Sequence, residues 1–172
     1  FKRRTMAVFS TDLSQTVEVL LERKNYNSVK DILSTVNPAD IAVIFRDQPA
    51  QRLLMLFRLL PKETAADVFV EMEPVLQEQL INAFSDKELA DIVNEMYADD
   101  AADLVEEMPA SVVKRILKQA SPDVRRDINE LLKYPEDSAG SIMTPEFADL
   151  HSSMTAAEAL DHIRLTGVDK ET

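Results

Sequence analysis

Proline spacing is the feature of this 172-residue chain that most limits its fold. The eight prolines are separated by intervals of 11, 12, 13, 35, 13, 13 and 10 residues, and the long interval is close to three times 12. About 12 residues hold one short helix and a tight turn, and proline is favoured where a helix begins. We therefore predict that the prolines mark helix starts, at positions 38, 49, 61, 74, 109, 122, 135 and 145.

Apolar residues and polar caps follow the same spacing. The intervals between prolines carry the i, i+3, i+4, i+7 pattern of a helix that buries one face. Asn37 precedes one proline and Ser121 another, while Ser85 and Glu88 form a capping-box pattern. These signals predict about ten short helices before residue 134.

Part of the sequence repeats at twice the proline spacing. Residues 66–72 read Ala-Asp-Val-Phe-Val-Glu-Met, and related segments occur at 90–96 and 102–108. Short helix pairs that cannot bury their apolar faces alone stack into arrays. The repeats therefore predict an all-α fold, an α-solenoid of short helix pairs, and a compact helical bundle is the alternative.

The sequence changes character at about residue 135. The first glycine, Gly140, lies between two prolines in this region, which is typical of a domain junction. Residues 146–150 are then predicted to form a strand, and Thr155 opens an amphipathic helix that carries Leu160 and Ile163 on one side. One strand and one helix are too few to fold alone. We predict a helical-repeat domain in residues 1–134, and a linker with an incomplete second domain in residues 135–172.

Composition excludes several classes of function. The chain has 19 Lys and Arg residues against 31 Asp and Glu residues, a net charge of −12. Because this charge repels phosphate backbones and anionic lipid, we expect no nucleic-acid partner and no direct membrane contact. No apolar run approaches the roughly 18 residues of a membrane span, and the apolar stretch within residues 1–10 is too short for a signal peptide.

The side chains needed for catalysis are scarce. The chain has no cysteine, and its two histidines, His151 and His162, both lie in the incomplete second domain. The first 139 residues also contain no glycine, which excludes phosphate-binding glycine loops there. We therefore expect that the chain is not an enzyme.

Acidic residues are concentrated between Ser85 and Ala110. Basic residues at i+4 are missing, so like charges destabilise these helices by a few tenths of a kcal/mol per pair. A hard divalent cation such as Mg²⁺, or a basic protein, would offset that repulsion, and a plain solvent-exposed face is the third explanation. Spacing alone does not separate the three. The region contains one lysine and nine acids: Asp86, Glu88, Asp91, Glu95, Asp99, Asp100, Asp103, Glu106 and Glu107.

The junction resembles a known family. Residues 134–145, Tyr-Pro-Glu-Asp-Ser-Ala-Gly-Ser-Ile-Met-Thr-Pro, and residues 154–160 resemble the entry to the first CBS domain of MgtE-type magnesium transporters. Residues 37–42, 60–62 and 99–104 resemble the superhelical N domain of the same family. The resemblance implies a right-handed superhelix followed by an incomplete α/β CBS fragment.

The resemblance also implies a function. It implies a Mg²⁺-sensing regulatory domain at the cytoplasmic face of the cell membrane, whose partners are the protein's own CBS and transmembrane domains, usually in a homodimer. In such proteins Mg²⁺ bridges acidic surfaces of the N domain and the CBS region and favours the closed state. The matching metal ligands are Asp67, Asp99 and Asp103, and Ser141 stands where a backbone carbonyl can contribute.

The alternative function is a helical-repeat scaffold that binds other proteins without sensing a metal. It resembles the related repeats of the flagellar motor switch protein. Such a scaffold would bind a basic partner through its acidic stripes and would show no preference for Mg²⁺ over other salts of equal ionic strength.

Overall fold

The helices of the protein begin at regular 12-residue intervals. The computed structural model describes residues 13–135, 138–167, 170 and 172. From α2 to α10, every helix begins 12 residues after the one before it. The prediction of about ten helices before residue 134 is confirmed within residues 13–135. The helices are α1 (including 13–22), α2 (Tyr26–Leu33), α3 (Pro38–Arg46), α4 (Ala50–Phe57), α5 (Lys62–Val70), α6 (Pro74–Ala83), α7 (Asp86–Val93), α8 (Ala98–Glu107), α9 (Ala110–Gln119), α10 (Pro122–Leu131) and α11 (Ala156–Thr166).

Six of the eight prolines begin helices as predicted. Three of them occupy the first turn of α3, α6 and α10, and three immediately precede α4, α5 and α9. Pro135 and Pro145 do not start helices, so the prediction is wrong for these two. The region after α10 forms only a 3₁₀ turn, Ala139–Ile142, before α11.

The predicted polar caps form. The Asn37 side chain accepts a hydrogen bond from the Ala39 N–H at 3.0 Å. Ser85 and Glu88 form a complete capping box at the start of α7. The Ser121 hydroxyl likewise accepts from a backbone N–H in the first turn of α10. Local sequence therefore sets most helix starts, because each cap satisfies a backbone donor that the helix leaves unpaired.

The first compact unit contains α1 to α7 and α9. Helix α3 contacts α5, α5 contacts α7 and α7 contacts α9, while α4 contacts α6. Helices α3, α4, α5 and α7 thus pack on the helix two places further along the chain, as in arrays of helix pairs, and α6 also contacts α9. Phe57, Phe69 and Phe84 lie at the centre of this unit, with ring centroids 5.3 to 6.4 Å apart.

The second compact unit contains α8, α10, the 3₁₀ turn and α11. Helices α8 and α10 pack through Ala98, Ala102 and Leu131, all at least nine-tenths buried. Alanine at two of these positions lets the helices approach closely. Helix α11 begins at a capping box formed by Thr155 and Glu158.

The strand predicted over residues 146–150 does not form, and the residues that the structure describes contain no strand. Between the described residues, the backbone of this segment forms one bridge. The Ala148 N–H donates to the Thr172 carbonyl at 2.7 Å, and the Thr172 N–H donates to the Glu146 carbonyl at 3.2 Å. These two bonds follow the parallel pattern around Phe147, but a strand needs a longer ladder. The CBS fragment implied by the resemblance is therefore not formed as a sheet.

The all-α prediction is confirmed across the described ranges. Gly140 fits the turn after α10 because the ring of Tyr134 lies against it, and an added Cβ would stand 2.2 Å from a ring carbon.

Each helix in the described part of the chain is too short or too polar to span a bilayer. The basic segment at residues 1–10 lies outside the described residues.

Candidate metal-binding carboxylates

Asp99 and Asp103 lie on one face of α8. They are four residues apart in a helix that begins at Ala98, so both side chains project from the same side. Asp103 is exposed and Asp99 is half-buried, whereas Leu104 and Val105 on the same helix are buried. The helix therefore presents a carboxylate pair beside its apolar face.

The N-terminus of α8 is bound by a carboxylate from beyond the junction. The Ala98 N–H donates to Oε1 of Glu146 at 3.2 Å, and Thr144 Oγ1 donates to Oε2 of Glu146 at 3.3 Å. Glu146 was missed from the sequence, because no local pattern connects residues 48 positions apart.

Asp67 lies on α5 in the first compact unit. Partial burial of its carboxyl group raises its pKa, and the negative charges of Glu63 and Glu95 raise it further. A cation bound at Asp67 would oppose this shift, since an adjacent positive charge favours the ionised carboxylate.

The acids on and beside α7 are paired by cations from other helices. Glu88 lies 2.7 Å from Arg58, and Glu95 lies 2.7 Å from Lys62. The same lysine lies 3.8 Å from Asp91, while Asp86 pairs with an arginine on α9 at 3.3 Å. Although these four acids lack a basic residue at i+4, each of them therefore has a countercharge from elsewhere in the fold. Sequence reasoning missed these partners because they lie about 30 residues away.

The acids on the second half of α8 differ from those of α7. Among the ion pairs of the described residues, none involves Asp103, Glu106 or Glu107, and all three are exposed. Helix α8 therefore supplies an exposed acidic surface that a cation or a basic protein could neutralise.

The arrangement supplies a partial metal site. Within residues 13–135, 138–167, 170 and 172, no three His, Asp or Glu side chains converge closely enough to hold a metal ion. Mg²⁺ is commonly held by one or two carboxylates and several waters, so the Asp99 and Asp103 pair fits part of its coordination shell. Ser141 lies in the 3₁₀ turn, where its N–H donates to the Ser138 hydroxyl at 3.3 Å.

Two curated relatives are similar to most of this chain. The chain is 27% identical over 164 residues to a magnesium transporter MgtE of Thermus thermophilus, and 24% identical over 149 residues to the Bacillus subtilis MgtE. These alignments cover 93% and 87% of this chain but 36% and 33% of the relatives. The chain thus spans about a third of the length of the curated relatives it matches.

Two solved structures share the fold. A crystal structure described as the cytosolic domain of the Mg²⁺ channel MgtE in complex with ATP matches with a TM-score of 0.80 and 26% identity, over 92% of this chain and 65% of that one. A structure described as the soluble part of a magnesium transporter matches with a TM-score of 0.83 and 22% identity, over 95% and 64%. The second likeness shows the fold alone.

A family model described as the MgtE intracellular N domain matches residues 36–137, which is more than half of the chain. The matched region begins just before α3 and ends just after α10. It includes all three predicted metal ligands, Asp67, Asp99 and Asp103. The chain therefore belongs to the family of MgtE intracellular N domains.

Proposed function

We propose that this chain is the cytosolic, Mg²⁺-sensing regulatory domain of an MgtE-type magnesium transporter. The observation that carries the proposal is the Asp99 and Asp103 pair on one face of α8, in a chain that belongs to this family. The relatives are named as transporters, which supports a regulatory role without enzymatic activity. The proposed location is the cytoplasmic face of the cell membrane.

Mg²⁺ would act by changing the balance between two states of the full-length protein. Two carboxylates one turn apart repel each other, and a divalent cation removes that repulsion. Because the pair supplies only part of a Mg²⁺ coordination shell, the remaining ligands are assigned to later segments of the protein. Mg²⁺ that bridges the α8 carboxylates and those later segments would favour the closed state of the transporter. Loss of Mg²⁺ would separate them and release the pore.

Asp67 is proposed as a further ligand on the helical domain. The raised pKa of its carboxyl group supports this role: partial burial is the main cause, the charges of Glu63 and Glu95 add to it, and a bound cation would offset both effects. Ser141 is proposed to contribute a backbone carbonyl, and its position in a turn rather than a long helix supports that assignment.

The proposed partners are the CBS and transmembrane domains of the same protein, in a homodimer. The proposed boundary divides the chain into residues 1–134 and 135–172. The end of α10 at Leu131 and the end of the family match at residue 137 support that boundary.

The second candidate function is a protein-binding scaffold. The exposed acids Asp103, Glu106 and Glu107 favour it, because a basic protein could neutralise them as effectively as a metal ion. The two functions differ in their response to salt. A scaffold responds to ionic strength, whereas a Mg²⁺ sensor distinguishes Mg²⁺ from monovalent cations.

Thermal unfolding separates the two functions. The full-length protein would be unfolded across about 0.1 to 20 mM MgCl₂, a range suited to weakly held hard cations, and in KCl of matched ionic strength. The test variant replaces both Asp99 and Asp103 by alanine, and the control replaces Glu106 and Glu107. At ten times the dissociation constant, binding to the native state adds about 1.4 kcal/mol per site.

A sensor predicts a saturable rise in stability with MgCl₂ alone, reduced by the Asp99→Ala, Asp103→Ala pair and retained in the control. Equal rises in MgCl₂ and KCl would overturn the sensor and favour the scaffold. Circular dichroism of the double variant completes the test, since a large loss of helicity would show that the two acids are structural.

A further inference from the structure

A carboxylate from beyond the junction holds the first residue of α8. The Ala98 N–H donates to Glu146 Oε1 across 48 residues of sequence, at 3.2 Å. The other oxygen, Oε2, accepts from Thr144 Oγ1 at 3.3 Å, and the same hydroxyl accepts from the Glu146 N–H at 3.3 Å. Both carboxylate oxygens are therefore engaged, which fixes the side chain at the start of α8.

The start of α8 has two acids in its first turn, Asp99 and Asp100, but neither a proline nor a capping Asn or Ser side chain. Within the described series α2 to α10, each other helix has a proline at its start or a capping Asn or Ser side chain. Helix α8 follows Tyr97, whose phenol is not one of the short oxygen-bearing side chains that cap helices. Glu146 provides both an acceptor and a negative charge at the positive end of the helix.

The residue that carries the bonded amide is buried in the second compact unit. Ala98 is 4% exposed and packs with Ala102 and Leu131. A buried N–H group requires a hydrogen-bond acceptor, so the first turn of α8 depends on Glu146 remaining in place. Asp99 is the next residue of that turn, and Asp103 lies one turn further along.

We infer that Glu146 is a positioning residue for the α8 carboxylates, an inference that rests on their proposed role as Mg²⁺ ligands. By holding the Ala98 N–H, Glu146 fixes the turn that carries Asp99 before any cation arrives. Such preorganisation lowers the ordering cost of binding. The same contact ties the segment around Thr144 to the helix on which Mg²⁺ acts.

Mg²⁺ protection of the full-length protein from limited proteolysis tests this role. The Glu146→Ala variant is expected to raise the MgCl₂ concentration of half-protection about 3- to 10-fold. This is less than the roughly 10- to 100-fold typical of residues bonded to a metal ligand, because Glu146 bonds to the backbone beside Asp99 and not to Asp99 itself. Glu146→Gln keeps an oxygen that can accept from Ala98, so its shift should stay below about 2-fold. Asp149→Ala is the matched control, because it removes an exposed negative charge from the same segment.

Amide hydrogen exchange of residues 98–101 provides a readout that does not depend on Mg²⁺. Exchange should be faster in Glu146→Ala and unchanged in Asp149→Ala. If Glu146→Ala fails to fold, Thr144→Val serves instead, since it removes the hydroxyl that bonds to the carboxylate.

The outcomes distinguish this inference from the proposed function. If wild-type protein shows no Mg²⁺-specific protection, both the proposed function and the positioning role of Glu146 are wrong. If wild-type protein responds and the Asp99→Ala, Asp103→Ala pair abolishes the response, the sensor stands. Equal half-protection concentrations for Glu146→Ala and Asp149→Ala would then overturn the positioning role alone. Equal effects of Glu146→Gln and Glu146→Ala would also overturn it, because charge rather than the hydrogen bond would be responsible.

Discussion

Arg58 and Glu88 join the end of α4 to the start of α7. The Arg58 Nε–H donates to Glu88 Oε1 at 2.7 Å, and a second guanidinium nitrogen donates to Oε2 at 3.3 Å. The same carboxylate accepts from the Ser85 N–H and hydroxyl, each at 2.8 Å. One side chain thus completes a capping box and an ion pair between helices.

The Glu88 contacts predict a specific loss of stability in acid. Its pKa is lowered to about 2, first by the hydrogen bond from Arg58 and then by the Ser85 N–H. A depressed pKa in the folded state stabilises the protein above the unfolded value near 4.5, and that contribution is lost as the pH falls toward about 2.

Glu88→Gln should therefore lower the free energy of unfolding at neutral pH by about 1 to 2 kcal/mol. The shift would imply about 3 kcal/mol for a fully buried group, and partial exposure reduces it. Urea unfolding between pH 2 and pH 7 measures the effect, with the exposed Glu130→Gln as control. A variant curve parallel to that of wild type across this pH range would contradict the prediction.

Lys62, the first residue of α5, neutralises one acid on α7 and one just after it. Its Nζ lies 2.7 Å from Glu95 and 3.8 Å from Asp91, and the hydrogen bond to Glu95 is the main reason that the lysine pKa is raised. Lys62→Gln should destabilise the chain by about 0.5 kcal/mol at low salt, as expected for an exposed pair, and by less in 1 M KCl. It should also raise the Asp67 pKa further, because Glu95 loses its countercharge.

Nuclear magnetic resonance titration of the Asp67 carboxyl carbon measures that shift. Lys87→Gln is the matched control, since Lys87 is exposed on α7. If both variants leave the Asp67 titration unchanged, the acids of α5 and α7 do not interact as the geometry indicates.

Local signals in the sequence account for most of the fold. Prolines, polar caps and apolar spacing locate helix starts because they act within one or two turns of the chain. The 12-residue interval continues through Asp86 and Ala98, where no proline marks it. Ser85 explains the first of these starts, whereas the second depends on Glu146 from a distant segment.

The candidate site was only partly predictable, because some of its contacts join residues that are distant in sequence. The i, i+4 spacing of Asp99 and Asp103 places them on one helix face from sequence alone. The ion pairs of α7 depend on which helices stack, so Arg58 and Lys62 give no local signal. The strand predicted at 146–150 failed because strand formation requires a neighbouring ladder, and among the described residues this segment pairs with Thr172 alone.

Gln77 is a buried polar residue that supports the array of helices. It is 5% exposed, and its Nε2 donates to the Phe69 carbonyl at 2.8 Å, from α6 to the end of α5. Gln77→Ala should lower the free energy of unfolding by about 1 to 3 kcal/mol, because a buried hydrogen bond is lost and a cavity forms, although the Phe69 carbonyl keeps the Met72 N–H as a donor at 3.2 Å. Gln79→Ala, an exposed change on the same helix, should have little effect in the same denaturation experiment. Similar losses in both variants would show that helix propensity, rather than the buried hydrogen bond, is responsible.

Asp67→Asn should stabilise the metal-free chain at neutral pH. Burial, Glu63 and Glu95 raise the Asp67 pKa, so the folded state binds the proton more tightly than the unfolded state. The free energy of unfolding therefore falls as the pH rises from the unfolded value near 3.8 through the folded pKa. Removing the charge should restore a few tenths of a kcal/mol, the cost of one like-charge pair at i, i+4.

Urea unfolding at pH 4 and pH 7, in the presence of a chelator, measures this gain. Asp31→Asn on α2 is the control, since Asp31 is an exposed acid on another helix. The gain should be larger at pH 7 than at pH 4, because the wild-type carboxyl is protonated to a greater extent in acid. If Mg²⁺ binds at Asp67, adding MgCl₂ to the full-length protein should stabilise wild type more than Asp67→Asn and so reduce the difference. A metal-free variant no more stable than wild type at pH 7 would show that the acids around Asp67 impose no electrostatic cost for a cation to relieve.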